Sequence, residues 1–290
     1  MDYFERVQKS IDFIEANLQE QLEIVVISSK AYFSAFHFQR LFQAITGFTV
    51  QQYIRNRRLT EAARLLRETG KNILEIAITF QYGSQEAFTR AFVNCFGVPP
   101  AKYRKEKAII NDQSKINFLD YKMKIKEDIN MNRPEIVYLK KTHIIGQAYT
   151  TNLHNNQYFE EIPEFYRSFG RNECYLQIPK KITPNMSYGI STYFQENGEF
   201  SFIVGEAVAE VAIELQNGFV NFEIPQGKYA EFKVLGNTDL VQNTRRYIYG
   251  TWLPNSNYER TEGPDFEITD VLSSHFPNEL NLKIYIPIME

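Results

Sequence analysis

A chain of 290 residues, 43% hydrophobic and 23% charged, has the composition of a folded globular protein of two domains, which excludes a collagen-like, coiled-coil or wholly disordered chain. The 32 Lys/Arg against 35 Asp/Glu leave a formal net charge of -3, and no run approaches the roughly 18 apolar residues of a membrane helix. Cys95 and Cys174 are too few and too isolated for a disulfide framework or a zinc site, and the N-terminus lacks the basic-then-apolar pattern of a signal peptide, so a cytoplasmic location is expected.

The charge is split along the chain. Residues 1–107 hold 15 Lys/Arg and 11 Asp/Glu, and the remainder holds 17 and 24. A basic first part suits an anionic polymer as partner.

Phe4, Val7, Ile11, Ile14 and Leu18 recur in steps of three and four, the spacing of an amphipathic helix. An internal repeat follows. A shift of 50 residues lays FHFQRLFQAITGFTVQQY on EAFTRAFVNCFGVPPAKY, matching Phe38 with Phe88, Arg40 with Arg90, Phe42 with Phe92, Gly47 with Gly97 and Tyr53 with Tyr103. Each copy reads as helix, turn, helix: Leu22–Ser29 and Ser34–Ala44, then Ile73–Phe80 and Ser84–Cys95. Ser34 and Ser84 stand at N-cap positions without a Glu or Gln three residues on, so neither completes a capping box. Gly47 and Gly97 fit left-handed C-caps, and Pro99 and Pro100 block continuation. A longer helix, Val50–Thr69, joins the copies. The first domain is therefore all-α, with two helix-turn-helix units.

Such a unit lays its second helix in the major groove of DNA. With Phe38, Leu41 and Phe42 inward, Phe36, Gln39 and Arg40 face out. With Phe88, Ala91 and Phe92 inward, Gln85, Glu86, Thr89 and Arg90 face out. Gln pairs bidentately with adenine, Arg with guanine, and an aromatic ring meets a thymine methyl. Two such helices on one connector fit major-groove segments about 34 Å apart. Arg55, Arg57, Arg58, Lys102, Arg104 and Lys105 are candidates for phosphate contacts. Cys95 reads as core.

The stretches FHFQRLFQAITG, QQYIRNRRLTEAARLL, ILEIAITFQYGSQEAFTRAF and FGVPPAKYR resemble the DNA-binding domain of AraC-family transcription regulators, over Met1–Lys107. The resemblance is closest to Rob-like members, which carry this domain at the N-terminus. It implies double-stranded DNA as partner and base reading by Phe36, Gln39, Arg40, Gln85, Glu86, Thr89 and Arg90. Where the family has Gly in each turn, this chain has Tyr32 and Gln81. A positive φ there costs a non-Gly residue about 1 kcal/mol. Glu86 stands where an uncharged polar residue would suit DNA better, and either accepts from a cytosine amino group or repels phosphate.

Residues 108–132 are polar and mixed in charge, and read as a connector. Residues 133–290 show two β-α-β-β units: strand Glu135–Thr150, helix Tyr158–Phe169, strands Ser187–Gln195 and Phe200–Ala209; then strand Val220–Leu235 broken near Pro225–Gly227, helix Asp239–Trp252, strands Asp265–Val271 and Leu282–Ile288. The fold class expected is thus multi-domain, an all-α N-terminal domain followed by an α+β domain of duplicated β-α-β-β units. Helices cover one sheet face and leave an open, concave face as the ligand site.

FEIPQGKYAEFKVLG, YGTWLPNSNYE, GPDFEITDV and LKIYIPI resemble the gyrase-inhibitor-like (GyrI-like) effector-binding domain that follows the DNA-binding domain in Rob-like regulators. Strand parity sets Phe266 and Ile268 against Glu267 and Thr269, and Ile284, Ile286 and Ile288 against Lys283 and Tyr285. With the aliphatic faces toward the helices, Glu267 and Tyr285 point into the open face. A carboxylate among aromatics suits a lipophilic cation. The resemblance places the family's pocket acid at Glu267; Trp252, at the end of the preceding helix, is read as a wall of the site and Tyr193 as lining from the pseudo-symmetric half.

His37, His143, His154 and His275 form no metal-ligand pair, and there is no phosphate loop or nucleophile elbow, so neither cofactor nor metal is expected. His37, in the first recognition helix, reads as a surface or partner-contacting residue. The leading reading is a ligand-responsive transcription activator that takes a small cationic amphipathic effector and engages RNA polymerase, and not an enzyme. The alternatives make the second domain a hydrolase or sequestering domain for small toxic compounds, or a protein-interaction module.

Overall fold

The computed structural model describes residues 3–106, 110, 112–120, 133–153, 157–195, 197–216 and 218–290. The chain divides into two compact units, 1–126 and 127–290. Residues 121–132 of the expected connector, and His154, lie outside the described residues.

The first unit is helical: α1 (Tyr3–Ala16), α2 (Ile24–Lys30), α3 (Ala35–Thr46), α4 (Val50–Glu68), α5 (Ile73–Thr79), α6 (Gln85–Phe96) and α7 (Pro100–Glu106). Ser34 and Ser84 cap α3 and α6 by accepting from the amides of His37 and Ala87. Gly47 and Gly97 close the same helices at φ 77° and 72°. Full capping boxes stand elsewhere, at Thr49–Gln52 before α4 and Asn72–Glu75 before α5. The pair Pro99–Pro100 lies beyond the Gly97 cap and does not itself end α6. Pro100 opens α7, because the first position of a helix needs no amide donor and a proline has its φ preset.

The repeat is visible in packing. Phe42 meets Phe38 at 5.9 Å and Tyr53 at 5.7 Å between ring centroids, and Phe92 meets both Phe88 and Tyr103 at 5.6 Å. All six rings are buried. Both turns keep the left-handed residue without glycine, Tyr32 at φ 58° and Gln81 at φ 66°.

Part of the stretch read as connector is built into this unit. Phe118 is fully buried against Phe42. The amides of Gln113, Ile116 and Phe118 donate to Thr60 Oγ1, Tyr53 Oη and Gln8 Oε1.

Among the described residues the second unit is one antiparallel sheet with two helices longer than one or two turns: β1 (Glu135–Leu139), β2 (Thr142–Asn152), α8 (Tyr158–Arg171), β3 (Met186–Thr192), β4 (Glu199–Val208), β5 (Phe219–Ile224), β6 (Gly227–Gly236), α9 (Thr238–Tyr247), β7 (Glu259–Arg260), β8 (Asp265–Asp270) and β9 (Leu280–Met289). A π-helical turn, Ile248–Trp252, continues α9. The order is β1-β6-β9-β8-β3-β4-β2-β5, with β7 beside β9. The two β-α-β-β units are β2-α8-β3-β4 and β6-α9-β8-β9, joined through β3 and β8. The single strand expected over Glu135–Thr150 is two strands that lie far apart in the sheet. β1 pairs with β6 of the other half, and β5 pairs with β2. Each half lends an edge strand to its counterpart.

One sheet face carries the helices. Ile145, Phe200, Phe202 and Val204 pack there with Ile162, Phe165 and Tyr166 of α8. The opposite face buries Ile144, Tyr188, Ile190, Ile203, Tyr229, Phe266 and Tyr285 against one another. These side chains are buried, where an open surface was expected. Among the described residues no helix is long and apolar enough to cross a membrane, and no His/Cys/Asp/Glu group is arranged to hold a metal ion.

Candidate DNA-reading surface and effector site

In α6 the expected outward residues Gln85, Glu86 and Arg90 are exposed and Thr89 is half-buried. Glu86 lies in the first helical turn. Its own amide and the Ser84 hydroxyl hold its carboxyl below the usual range, and negative charge there also suits the helix dipole. Cys95, read as core, is exposed at the end of α6.

In α3 the expectation needs correction. Phe36 and Arg40 are half-buried, the guanidinium over the Phe36 ring at 5.3 Å. Gln39 is only 4% exposed. At about 100° per residue, Gln39 lies only about 60° from inward-facing Phe42, so it borders the packed seam, while Phe36, Arg40 and Gln43 lie opposite. His37 is also interior, with its ring 4.5 Å from Phe33 and 5.8 Å from Tyr3.

The candidate phosphate contacts divide. Arg55, Lys102 and Lys105 are exposed, Lys102 lying 3.9 Å from Glu106. Arg57 is buried. Its guanidinium donates to both Glu15 oxygens, at 2.9 and 2.8 Å, to Glu61 Oε1 at 2.9 Å and to the Gln113 carbonyl at 2.8 Å. Its role is to bind α1, α4 and the connector segment together, which removes it as a phosphate ligand. Arg58 donates to the Leu18 and Glu20 carbonyls, and Arg104 to those of Leu66 and Lys71. Both satisfy backbone acceptors at helix ends and turns, which periodicity on the bare sequence does not reveal.

In the second unit the four expected ligand residues separate onto two faces. Phe266 is paired with Tyr285, and Glu267 with Ile284. Parity within each strand is as read, but the phase between β8 and β9 is the reverse. Glu267 therefore faces the helices with Ile284, and Tyr285 faces the other way, stacked on Phe266 at 4.7 Å and donating to Glu231 Oε2 at 2.8 Å. Tyr193 is exposed and sits by Phe222, on the Tyr285 side. Trp252 is half-buried on the Glu267 side, between Phe232 and Tyr258 at 5.1 and 6.1 Å.

Glu267 is 6% exposed and lies at the junction of the halves, directly opposite Gly189. Tyr166 of α8 donates to its Oε1 at 2.7 Å, and Arg245 of α9 donates to its Oε2 at 2.5 Å. Burial, then the charge of Glu267, holds the Tyr166 hydroxyl well above the usual phenol range, so it remains a donor. Gly189 is required for this contact, since a β-carbon there would fall 1.8 Å from Tyr166 Oη. Two residues along β8, Asp265 is fully buried between Arg260, at 2.9 Å, and the Tyr249 hydroxyl. Each carboxylate thus holds one tyrosine and one arginine. The sequence expectation offers the Glu267 charge to a cationic ligand, but the fold already meets that charge with Arg245. Tyr166, Arg245 and Gly189 were missed because only the sheet register brings them to Glu267.

The C-terminal half matches the family model described as integron-associated effector binding protein, over residues 135–288, and a helix-turn-helix domain model covers residues 27–106. Among curated proteins, the multiple antibiotic resistance protein MarA of Escherichia coli is 39% identical over 113 residues, 39% of this chain and 86% of MarA. The right origin-binding protein of Escherichia coli is 28% identical over 305 residues, 99% of both chains. An uncharacterized HTH-type transcriptional regulator of Bacillus subtilis, YbfP, is 41% identical over 124 residues, 43% of this chain but 42% of YbfP.

Proposed function

The chain belongs to the AraC family of transcription regulators, with a helix-turn-helix DNA-binding domain followed by an effector-binding domain, and from that membership we propose a transcription activator whose DNA-bound output is set by a small molecule held in the second unit. The observation that carries the reading is the pair of capped, repeat-related helices α3 and α6. Arg40 and Arg90 stand at matching positions opposite the buried Phe38–Phe42 and Phe88–Phe92 seams. We assign base reading to Phe36, Arg40, Gln85, Glu86, Thr89 and Arg90, and phosphate contacts to Arg55 and Lys102. The effector site is the junction between α8 and α9, with Glu267 at its floor and Trp252 on its flank. The unit serves as a sensor and RNA polymerase is the downstream partner; no reaction is assigned to Glu267, whose two oxygens are engaged by Tyr166 and Arg245.

The test is a binding-site selection from random duplex DNA, repeated with Arg40→Ala and Arg90→Ala. Each substitution weakens specific binding by about 1–3 kcal/mol and relaxes base preference at one position in its own half-site. Unchanged preference in both variants removes the assignment.

A further inference from the structure

Glu267 and Arg245 form a close ion pair with both side chains largely out of solvent, 8% and 17% exposed. The neighbouring pair Asp265–Arg260 is more deeply buried still. Two carboxylates and two guanidiniums therefore sum to zero charge at the floor between α8 and α9. Tyr166 donates to the other Glu267 oxygen, so each oxygen of this carboxylate already carries a donor.

A lipophilic cation entering here meets a compensated pair. Its attraction to Glu267 is offset by repulsion from Arg245, and to take the carboxylate it must displace a guanidinium whose other carboxylate neighbour, Asp265, is already held by Arg260. Separating the partners of a buried ion pair is strongly unfavourable, because it leaves a charge uncompensated out of water. An uncharged ligand carries no such cost. It keeps the pair intact and finds aromatic surface on the same side of the sheet, in Tyr166 against Phe202 and in Trp252 between Phe232 and Tyr258. We propose that Arg245 determines the charge class of the effector: it stands where a ligand cation would sit, so that the site takes uncharged aromatic molecules and discriminates against cations. This rests on the reading of the α8–α9 junction as the effector site.

The test uses two probes of similar shape, triphenylphosphine oxide, which is uncharged, and tetraphenylphosphonium, which is a cation. Each is titrated into the full-length chain by calorimetry and by thermal shift. The expected result is that the wild type binds the oxide at least tenfold more tightly than the phosphonium. In Arg245→Leu the order reverses, and the phosphonium gains at least tenfold over its wild-type affinity. Adding Glu267→Gln to that variant abolishes the gain. Because Arg245→Leu leaves a buried carboxylate without its partner and lowers stability, the wild-type preference and the uncharged Arg245→Leu/Glu267→Gln variant stand as independent readouts. A wild type that prefers the phosphonium overturns the role of Arg245. Binding of neither probe to the wild type or to either variant overturns the effector-site reading itself.

Discussion

Gly189 faces Glu267 across the β3–β8 pair, and its missing side chain is what admits the Tyr166 hydroxyl. Gly189→Ala forces the hydroxyl away and leaves Glu267 short of a donor. The expected cost is about 1–3 kcal/mol, seen as a lower melting temperature of the second unit. The reverse experiment applies at Tyr32, a residue 70% exposed and held at φ 58°. Tyr32→Gly relieves the left-handed strain and raises stability by about 1 kcal/mol in urea denaturation. An unchanged midpoint means that the tyrosine ring makes an offsetting contact. The two effects differ in how far the sequence shows them. The two turn residues are recognisable only by their departure from a family pattern, and Gly189 looks like any glycine in a strand.

At the scale of elements, helix starts and stops were the most readable feature. Ser34, Ser84, Gly47 and Gly97 cap as their types suggest, because capping depends on a hydroxyl or a left-handed glycine within a few residues. Asn72 adds a full capping box at α5, exchanging bonds with the backbone and side chain of Glu75 at 2.7 and 3.0 Å. Asn72→Ala leaves the Glu75 amide of the first turn without its acceptor, and about 1 kcal/mol of stability is lost by thermal denaturation. Pro100 shows the limit of punctuation. Gly97 closes α6 before the prolines are reached, and Pro100 opens α7, which carries Tyr103 into the core.

For the whole molecule, the division of the arginines between scaffold and surface separates stability from DNA affinity. Arg57→Met breaks a buried network with Glu15, Glu61 and the connector segment, and lowers stability by about 3 kcal/mol. It leaves the salt dependence of DNA binding unchanged at temperatures where the variant is folded. Arg55→Ala does the opposite, with stability held and the slope of log affinity against log salt reduced by about 1. Binding isotherms at several salt concentrations, together with melting curves, check both. A reduced slope in Arg57→Met would return that residue to the DNA interface.

Local signals in the chain were enough for the two-domain layout, the duplicated helix-turn-helix units, most helix boundaries and the inward phenylalanines. Periodicity, capping and a 50-residue repeat are properties of neighbours in sequence. Tertiary structure alone decided which charged residues are available and which sheet face each strand residue meets. Arg57 and Arg55 are two positions apart on one helix, and only the approach of α1 and residues 113–118 makes one a buried tie and leaves the other exposed. Glu267 and Tyr285 have readable parity within their strands, but a one-residue change of register exchanges the two faces, and register is set by long-range pairing. The neutralised charge at Glu267 has the same origin, since Arg245 and Tyr166 reach it from helices 22 and 101 residues away in sequence.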